Sequence, residues 1–271
     1  MLLCLLFSFA AHPQDALPKR VVSLSPAVTR QQYLLGAEDR LVGCTVYCTK
    51  PEAAQYKEKI GTLMDVNLEK IIYLNPDLVI ATSLTDHNTV QKLQDLGIEV
   101  KIFPAPKNYS QICEQFLRLG KILGRGKEAE HIVKLSDMRL KKTKESGKDF
   151  KKPTVFIQAG SKPLTTLTKD FFVNDIIEFA GGINIAKDLT SGLYSREKVL
   201  KDNPDVIIIM TMGIDGQEEK DTWQRFKTLN AVKTNNIYVV DARELGSPTP
   251  LSFVEMVEKT EKFFRSTSVN K

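Results

Sequence analysis

The chain has few of the residues from which catalytic and metal sites are usually built. Its 271 residues include three histidines and one tryptophan. The sequence contains no Gly-x-Ser-x-Gly nucleophile elbow, and Gly124-Arg125-Gly126-Lys127 lacks the spacing of a phosphate-binding P-loop. A transition-metal site needs several converging His, Cys or carboxylate ligands, and no such pattern is present. These shortages argue against an enzyme and against a resident metal.

The chain also has no large excess of charge of either sign. Lysine and arginine number 38 against 33 acidic residues, so the net charge is only +5 and is dispersed. Nucleic-acid-binding surfaces are usually more basic and more concentrated than this. The densest basic run, residues 141–152, is expected to be a solvated helix end. We therefore predict no nucleic-acid partner.

The four cysteines leave two possibilities open. Cys44 and Cys48 are close enough in sequence to form a disulfide in an oxidising compartment, which would leave Cys113 alone. Buried, inert thiols are the alternative. A metal site is less favoured, because no second cysteine or histidine pair lies at ligand spacing.

The N-terminal residues 1–11 predict a signal peptide. They form an apolar run that ends in small residues and is too short to span a membrane. A buried strand is the alternative. Nothing around Cys4 resembles a lipoprotein signal, so we expect no lipid anchor. The prediction is an exported, periplasmic or otherwise extracytoplasmic protein.

One stretch of the chain occurs twice. Residues 66–80 return as residues 194–208, with Glu-Lys and Asn-Pro-Asp at identical positions. In each copy a polar residue, Asn67 or Ser195, can cap a short helix. The proline then disfavours helix in the residue before it, and an apolar run typical of a buried parallel strand follows. One such unit in each half predicts two similar lobes.

Strands alternate with helices in both halves, which predicts α/β lobes with mainly parallel, doubly wound sheets. We place the N-terminal lobe at residues 17–126 and the C-terminal lobe at residues 152–271. The longest helical stretch lies between the two repeats, and we interpret residues 127–148 as a connector helix. Ligands of such sheets bind at the carboxyl ends of the strands. A ligand cleft is therefore expected between the lobes, where hydroxyls, methionines, a tyrosine and an arginine suit a partly apolar organic ligand.

Several motifs, in this order and spacing, resemble the periplasmic binding proteins of iron-chelate and cobalamin ABC importers. The resemblance runs from about residue 19 to residue 265. The motifs are Arg20-Val21-Val22-Ser23-Leu24-Ser25-Pro26, Leu35-Gly36, Leu41-Val42-Gly43, Asn67-Leu68-Glu69-Lys70-Ile71, Asn75-Pro76-Asp77-Leu78-Val79-Ile80, Leu96-Gly97-Ile98 and Gly181-Gly182-Ile183-Asn184.

The resemblance implies a monomer that holds a metal chelate between two lobes with little hinge motion, without a cofactor of its own. It also implies that Glu69 and Glu197 dock on arginines of a membrane permease. The alternative role for each glutamate is to offset the helix dipole in a first turn. The expected ligand-binding residues are Ser25, Pro26, Tyr47, Leu63, Met64, Ser83, Ala159, Gly160, Tyr194, Met212, Arg243 and Ser247.

The identity of the chelate stays open among a ferric siderophore, haem and cobalamin. Cobalamin-binding members of the family carry cleft tryptophans, where this sequence has Leu63, Thr82 and Ala159. Arg243 could instead neutralise an anionic chelate. The alternatives to a transport protein are an enzyme acting on a tetrapyrrole, with Asp86 and His87 as acid–base groups, and an orphan scavenger or sensor.

Overall fold

The computed structural model describes residues 17–146, 151–211 and 214–269. The predicted signal peptide at residues 1–11 lies outside these described residues. None of the helices within them is both long and apolar enough to cross a membrane.

The first lobe is a five-stranded parallel sheet with helices on both faces. Its spatial order is β3-β2-β1-β4-β5. The strands are β1 (Val21–Ser23), β2 (Leu41–Cys44), β3 (Glu58–Lys59), β4 (Leu78–Thr82) and β5 (Glu99–Phe103). The helices are α1 (Pro26–Leu34), α2 (Leu68–Tyr73), α3 (His87–Asp95) and α4 (Tyr109–Ile122). The chain order reverses at β1, between β2 and β4, and a reversal of this kind opens a crevice at the carboxyl ends of the strands.

One long helix, α5 (Gly126–Ser146), follows the first lobe. With 21 residues it extends about 30 Å. Ala129 packs in the core of the first lobe and Leu140 in the core of the second, while Val133 packs against both. Because α5 contributes to both cores, it cannot be assigned to one lobe. The predicted boundaries of the lobes and of the connector therefore stay predictions.

The second lobe has a four-stranded parallel sheet in the order β11-β10-β6-β9, and β7 and β8 form a short antiparallel hairpin beside it. The strands are β6 (Thr154–Gln158), β7 (Gly160–Ser161), β8 (Leu164–Thr165), β9 (Ile183–Asn184), β10 (Val206–Met210) and β11 (Ile237–Val240). The helices are α6 (Val173–Phe179), α7 (Arg196–Asp202), α8 (Gly216–Gln224), α9 (Asn230–Lys233), α10 (Ala242–Leu245) and α11 (Pro250–Val269). Two parallel α/β sheets joined by α5 confirm the predicted fold class.

The two copies of the repeat fold alike. Asn67 Oδ1 accepts the Lys70 N–H at 2.9 Å, and Ser195 Oγ accepts the Lys198 N–H at 3.1 Å, so both predicted caps form. After each helix the asparagine before the proline adopts a left-handed backbone, with φ of 43° and 44°. Asparagine tolerates this conformation better than most residues, which explains its position at both turns.

The aspartate of each repeat ties its strand to the neighbouring one. Asp77 accepts the backbone N–H groups of Lys19 and Arg20 at 2.7 and 3.0 Å, just before β1. Asp205 accepts both the N–H and the hydroxyl of Thr154, the first residue of β6, at 3.1 and 3.0 Å. Asn-Pro-Asp therefore also sets the register of the central strands.

We predict that Asp205→Ala destabilises the protein by about 1–3 kcal/mol, because it leaves the half-buried Thr154 N–H without its acceptor. The measurement is the free energy of unfolding in urea. Asp39→Ala, at an exposed aspartate before β2, is the matched control and should change it by less than about 0.5 kcal/mol. Equal effects of the two variants would contradict this role of Asp205.

Candidate functional site

A cavity of about 560 Å³ opens between the two lobes, which is in the range of small-molecule sites. The residues lining it follow the carboxyl ends of the strands in both sheets. They are Pro26, Val46, Tyr47, Thr49, Lys50, Thr211, Asp241, Ala242, Gly246 and Ser247. The expected position of the cleft therefore coincides with a real cavity.

The first lobe contributes the start of α1 and the turn after β2. Ser25 Oγ accepts the Val28 N–H at 3.4 Å and caps α1, with Pro26 in the first turn. In the turn, the Cys48 N–H donates to the Thr45 carbonyl at 3.1 Å. The turn presents Tyr47, whose side chain is 57% exposed. Among the described residues that line the cavity, Tyr47 is the only aromatic one.

The second lobe contributes the residues that follow β10 and β11, together with the segment before α11. Thr211 comes directly after β10, and Asp241 comes directly after β11. Lys50 from the first lobe and Asp241 from the second therefore place opposite charges on the wall of one cavity. A ligand here would meet charged and hydroxyl groups around a single aromatic ring.

Two hydrogen bonds join the lobes next to the cavity. Arg30 Nη1 donates to the Ser247 carbonyl at 3.3 Å, and Gln31 Nε2 donates to the Pro248 carbonyl at 2.9 Å. Gln31 is 4% exposed, so its bond is protected from water. A second groove of about 490 Å³ is lined by Arg30 and shares Thr49, Lys50 and Asp241 with the cavity. The cleft thus continues along α11.

The structure places the predicted ligand-binding residues in different environments. Pro26, Tyr47 and Ser247 line the cavity, and Ser25 lies beside it as the cap of α1. Met212 lies outside the described residues, and so does the side chain of Arg243.

Six other predicted ligand-binding residues do not line the described walls of this cavity. Tyr194 is 9% exposed, packs on Phe156 at a centroid distance of 5.1 Å and donates its hydroxyl to Asp202. It is therefore committed to the core of the second lobe. The remaining five are Leu63, Met64, Ser83, Ala159 and Gly160. Their contact with a ligand stays a prediction.

Lys50, Thr49 and Asp241 were missed by sequence reasoning, although each had a signal. Asp241 directly follows the apolar run Ile237–Val240, at the edge where ligands of parallel sheets bind. Lys50 and Thr49 lie just beyond Tyr47, in the segment that leaves β2. A polar residue immediately after a buried strand was the available clue.

Glu69 and Glu197 occupy equivalent positions, each as the second residue of its helix, and both are exposed. Hydrogen bonds from its own backbone N–H and from Ser195 lower the pKa of the Glu197 carboxyl, so this group is ionised at neutral pH. The structure thus presents one carboxylate on each lobe, and their docking role stays a prediction.

The histidine alternative finds no support in this geometry. Asp86 Oδ2 accepts the Thr89 N–H at 2.9 Å and thereby caps α3. His87 is the exposed first residue of that helix and does not line the described cavity. No group of three or more His, Cys, Asp or Glu side chains converges on a metal position within the described ranges.

Both cysteines of the possible disulfide are free in the structure. Cys44 and Cys48 are fully buried thiols, and Cys113 is a buried thiol elsewhere. The disulfide alternative is therefore not the state seen here.

Trp223, the single tryptophan of the sequence, is fully buried in the second lobe. Its Nε1–H donates to Gln158 Oε1 at 2.6 Å, and the Arg196 guanidinium lies 4.6 Å from its ring centroid. It cannot stack on a ligand in the cleft.

Comparison with known proteins finds a matching family model and relatives that are substrate-binding proteins. The model of the periplasmic binding protein family matches residues 21–244. The chain is 32% identical to the uncharacterized ABC transporter substrate-binding lipoprotein YvrC of Bacillus subtilis, over 92% of this chain and 81% of that one. It is 27% identical to the vitamin B12-binding protein of Vibrio vulnificus, over 96% and 95% of the two chains.

Solved structures with similar folds include two whose identity exceeds 25%. A possible iron-binding, periplasmic solute-binding protein of Staphylococcus epidermidis gives a TM-score of 0.82 at 27% identity, over 92% of this chain and 99% of that one. The periplasmic vitamin B12 binding protein of Vibrio cholerae gives 0.76 at 26% identity, over 92% and 98%.

We predict that Trp223 fluorescence of the folded protein is blue-shifted and poorly quenched by acrylamide, because the indole ring is inaccessible to water. The unfolded chain in urea is the control and should be quenched strongly. Emission at the wavelength of an exposed indole in the folded protein would contradict the burial described above.

Proposed function

This chain belongs to the periplasmic binding protein family, and on that basis we propose that it captures a metal chelate outside the cytoplasm and delivers it to the permease of an ABC importer. The relatives at the level of sequence include vitamin B12-binding proteins and an ABC transporter substrate-binding lipoprotein. We interpret the chain as a binding protein rather than an enzyme.

The observation that carries this proposal is the cavity between the lobes. Its walls come from both lobes, its volume suits an organic ligand, and strand ends surround it. A ligand there would be held from two sides by groups that α5 and the Arg30 and Gln31 hydrogen bonds keep in place. Binding and release of a ligand in this cavity require no covalent reaction.

The walls favour a chelate with a polar periphery. Lys50, Asp241 and the hydroxyls of Thr49, Thr211 and Ser247 can bind carboxylate, hydroxyl or amide groups of a ligand. Tyr47 offers one ring for stacking. We therefore keep ferric siderophore, haem and cobalamin as the candidate cargo, bound as transported ligand and not as a cofactor.

We propose that the two lobes contact the permease together, through Glu69 and Glu197. Both carboxylates are exposed and lie at equivalent points of the internal repeat. Such a pair matches a permease built from two similar subunits. Export by the segment 1–11 and function as a monomer complete the proposal.

We predict that one chelate from a panel of cobalamin, haemin, ferric siderophores and free ferric iron binds the mature protein saturably, at submicromolar concentration. Binding is measured as quenching of intrinsic fluorescence. Tyr47→Ala should weaken it about tenfold, equal to about 1.4 kcal/mol, because the ring of Tyr47 faces the cavity.

Tyr56→Ala is the matched control, since Tyr56 is 84% exposed and does not line the described cavity. It should leave the affinity unchanged. Silence across the panel, or tight binding of bare iron alone, would contradict the proposed cargo class.

We predict that the double variant Glu69→Ala/Glu197→Ala keeps full affinity for the chelate identified in this way but no longer supports its uptake by cells. The pair Glu130→Ala/Glu145→Ala removes two exposed carboxylates from α5 and serves as the control. Full uptake by the first double variant would refute docking through these glutamates.

A further inference from the structure

A polar pocket lies directly beneath the Tyr47 turn, and the proposed function does not use it. We call it the thiol pocket; it consists of Thr29, Cys44, Thr45, Cys48 and Lys59. All but the half-buried Lys59 are fully buried. Two thiols, two hydroxyls and one ammonium group are therefore enclosed together at the end of β2.

Each polar atom in the thiol pocket points at a sulfur. Thr29 Oγ1 donates to Cys48 Sγ at 3.2 Å, and Thr45 Oγ1 lies 3.2 Å from the same sulfur. Lys59 Nζ donates to Cys44 Sγ at 3.3 Å and to the carbonyls of Cys48 and Ala54 at 3.1 and 2.9 Å. Such donors stabilise a negative charge on sulfur, which is the reactive form of cysteine.

The two thiols also act on each other. Hydrogen bonding with Cys44, and then with Thr29 and Thr45, lowers the pKa of Cys48 to about 6 despite its burial. The same interaction with Cys48, together with burial, raises the pKa of Cys44. The hydroxyl groups of Thr29 and Thr45 beside its sulfur therefore favour the thiolate form of Cys48 over that of Cys44.

Cys113 provides a contrast inside the same chain. It is buried beside Tyr109 and Asp137, and burial raises its pKa to about 11. No cation is among the groups that shift it. All three described thiols are buried, but those of the thiol pocket lie beside an ammonium group, which favours the thiolate form, whereas Cys113 does not.

The thiol pocket is connected to the cleft through the backbone. Cys44 ends β2 and Cys48 closes the Thr45–Cys48 turn, whose two central residues, Val46 and Tyr47, line the cavity. Thr49 and Lys50 follow directly and also line it. A bond between the two sulfurs would close a ring around this turn.

We propose that Cys44 and Cys48 form a reversible dithiol–disulfide pair, oxidised by a low-molecular-weight disulfide, that restrains the cleft segment at residues 45–50. The inference rests on the proposed function only in that this segment would contact the cargo. Extracytoplasmic compartments are where such a pair meets oxidising conditions.

The oxidation proceeds by thiol–disulfide exchange in two steps. The Cys48 thiolate attacks one sulfur of the reagent, which breaks the reagent's S–S bond, forms a mixed disulfide and releases one thiolate. Cys44 loses its proton and attacks the Cys48 sulfur, which forms the Cys44–Cys48 bond and releases the second thiolate. The two cysteine sulfurs are oxidised and the two reagent sulfurs are reduced to thiolates. One thiolate takes up the Cys44 proton, and the other takes up a proton from solvent, equal to the one that Cys48 lost when it ionised.

The test exposes the folded mature protein to oxidised glutathione and follows its intact mass and peptide map. The expected product lacks two hydrogen atoms, links Cys44 to Cys48 and reverts with dithiothreitol. Cys113→Ser should react identically, and Cys48→Ser should give no intramolecular link. A persistent glutathione adduct, or no reaction while the urea-unfolded chain is oxidised, would overturn the proposal.

The role of the ammonium group is tested by Lys59→Gln. This substitution should slow the thiol–disulfide exchange with oxidised glutathione about tenfold, which corresponds to about 1.4 kcal/mol. Lys57→Gln is the matched control, because Lys57 Nζ donates to the Glu38 carbonyl at 2.8 Å and not to a sulfur. Equal rates for these two variants and the parent protein would refute assistance by Lys59.

The effect on the cleft is read from hydrogen–deuterium exchange of residues 45–50, which needs no ligand. Oxidation should slow the exchange of this segment about tenfold and leave that of residues 237–240 unchanged. Unaltered exchange in the linked protein would refute the restraint. A failed chelate titration would leave both thiol results intact, so the two proposals can fail separately.

Discussion

The packing of α5 into two cores is the constraint on which the rest of the structure depends. Ala129 is enclosed by the first lobe and Leu140 by the second, so neither lobe can rotate far without exposing apolar surface. Arg139 adds a bidentate ion pair to Glu258 of α11, at 3.0 and 2.7 Å, in the geometry that makes arginine–carboxylate pairs strong. The strand ends of both sheets are thereby held facing each other, and the cleft is a product of that arrangement.

Local chemistry explains which parts of the fold could be predicted from sequence. The caps at Asn67 and Ser195 and the turns at Asn75 and Asn203 each depend on residues within one helical turn. The same unit of capped helix, turn and buried strand occurs twice in the sequence, and this repetition predicted two lobes. Pro26 and Tyr47 could be expected at the cleft because each lies just beyond the carboxyl end of a strand, β1 or β2, which the local pattern also predicts.

The parts that could not be predicted from the sequence depend on contacts between distant segments. Tyr194 was expected at the ligand but is committed to the core by Phe156 and Asp202. The positions of Trp223 and of the β7–β8 hairpin likewise depend on how the second lobe packs. Lys50 and Asp241 lie 191 residues apart (241 − 50 = 191) and share a cavity only because α5 aligns the lobes. Periodicity and turn chemistry carry no information about such pairs.

The Arg30 and Gln31 bonds between the two lobes have a consequence for the release of a ligand. A binding site whose walls are already held in place loses little conformational entropy when a ligand binds. Binding is therefore favourable, and dissociation of the ligand is correspondingly slow. Spontaneous opening of the two lobes would release the bound ligand only slowly. Fast release would then require another protein that moves the two lobes apart.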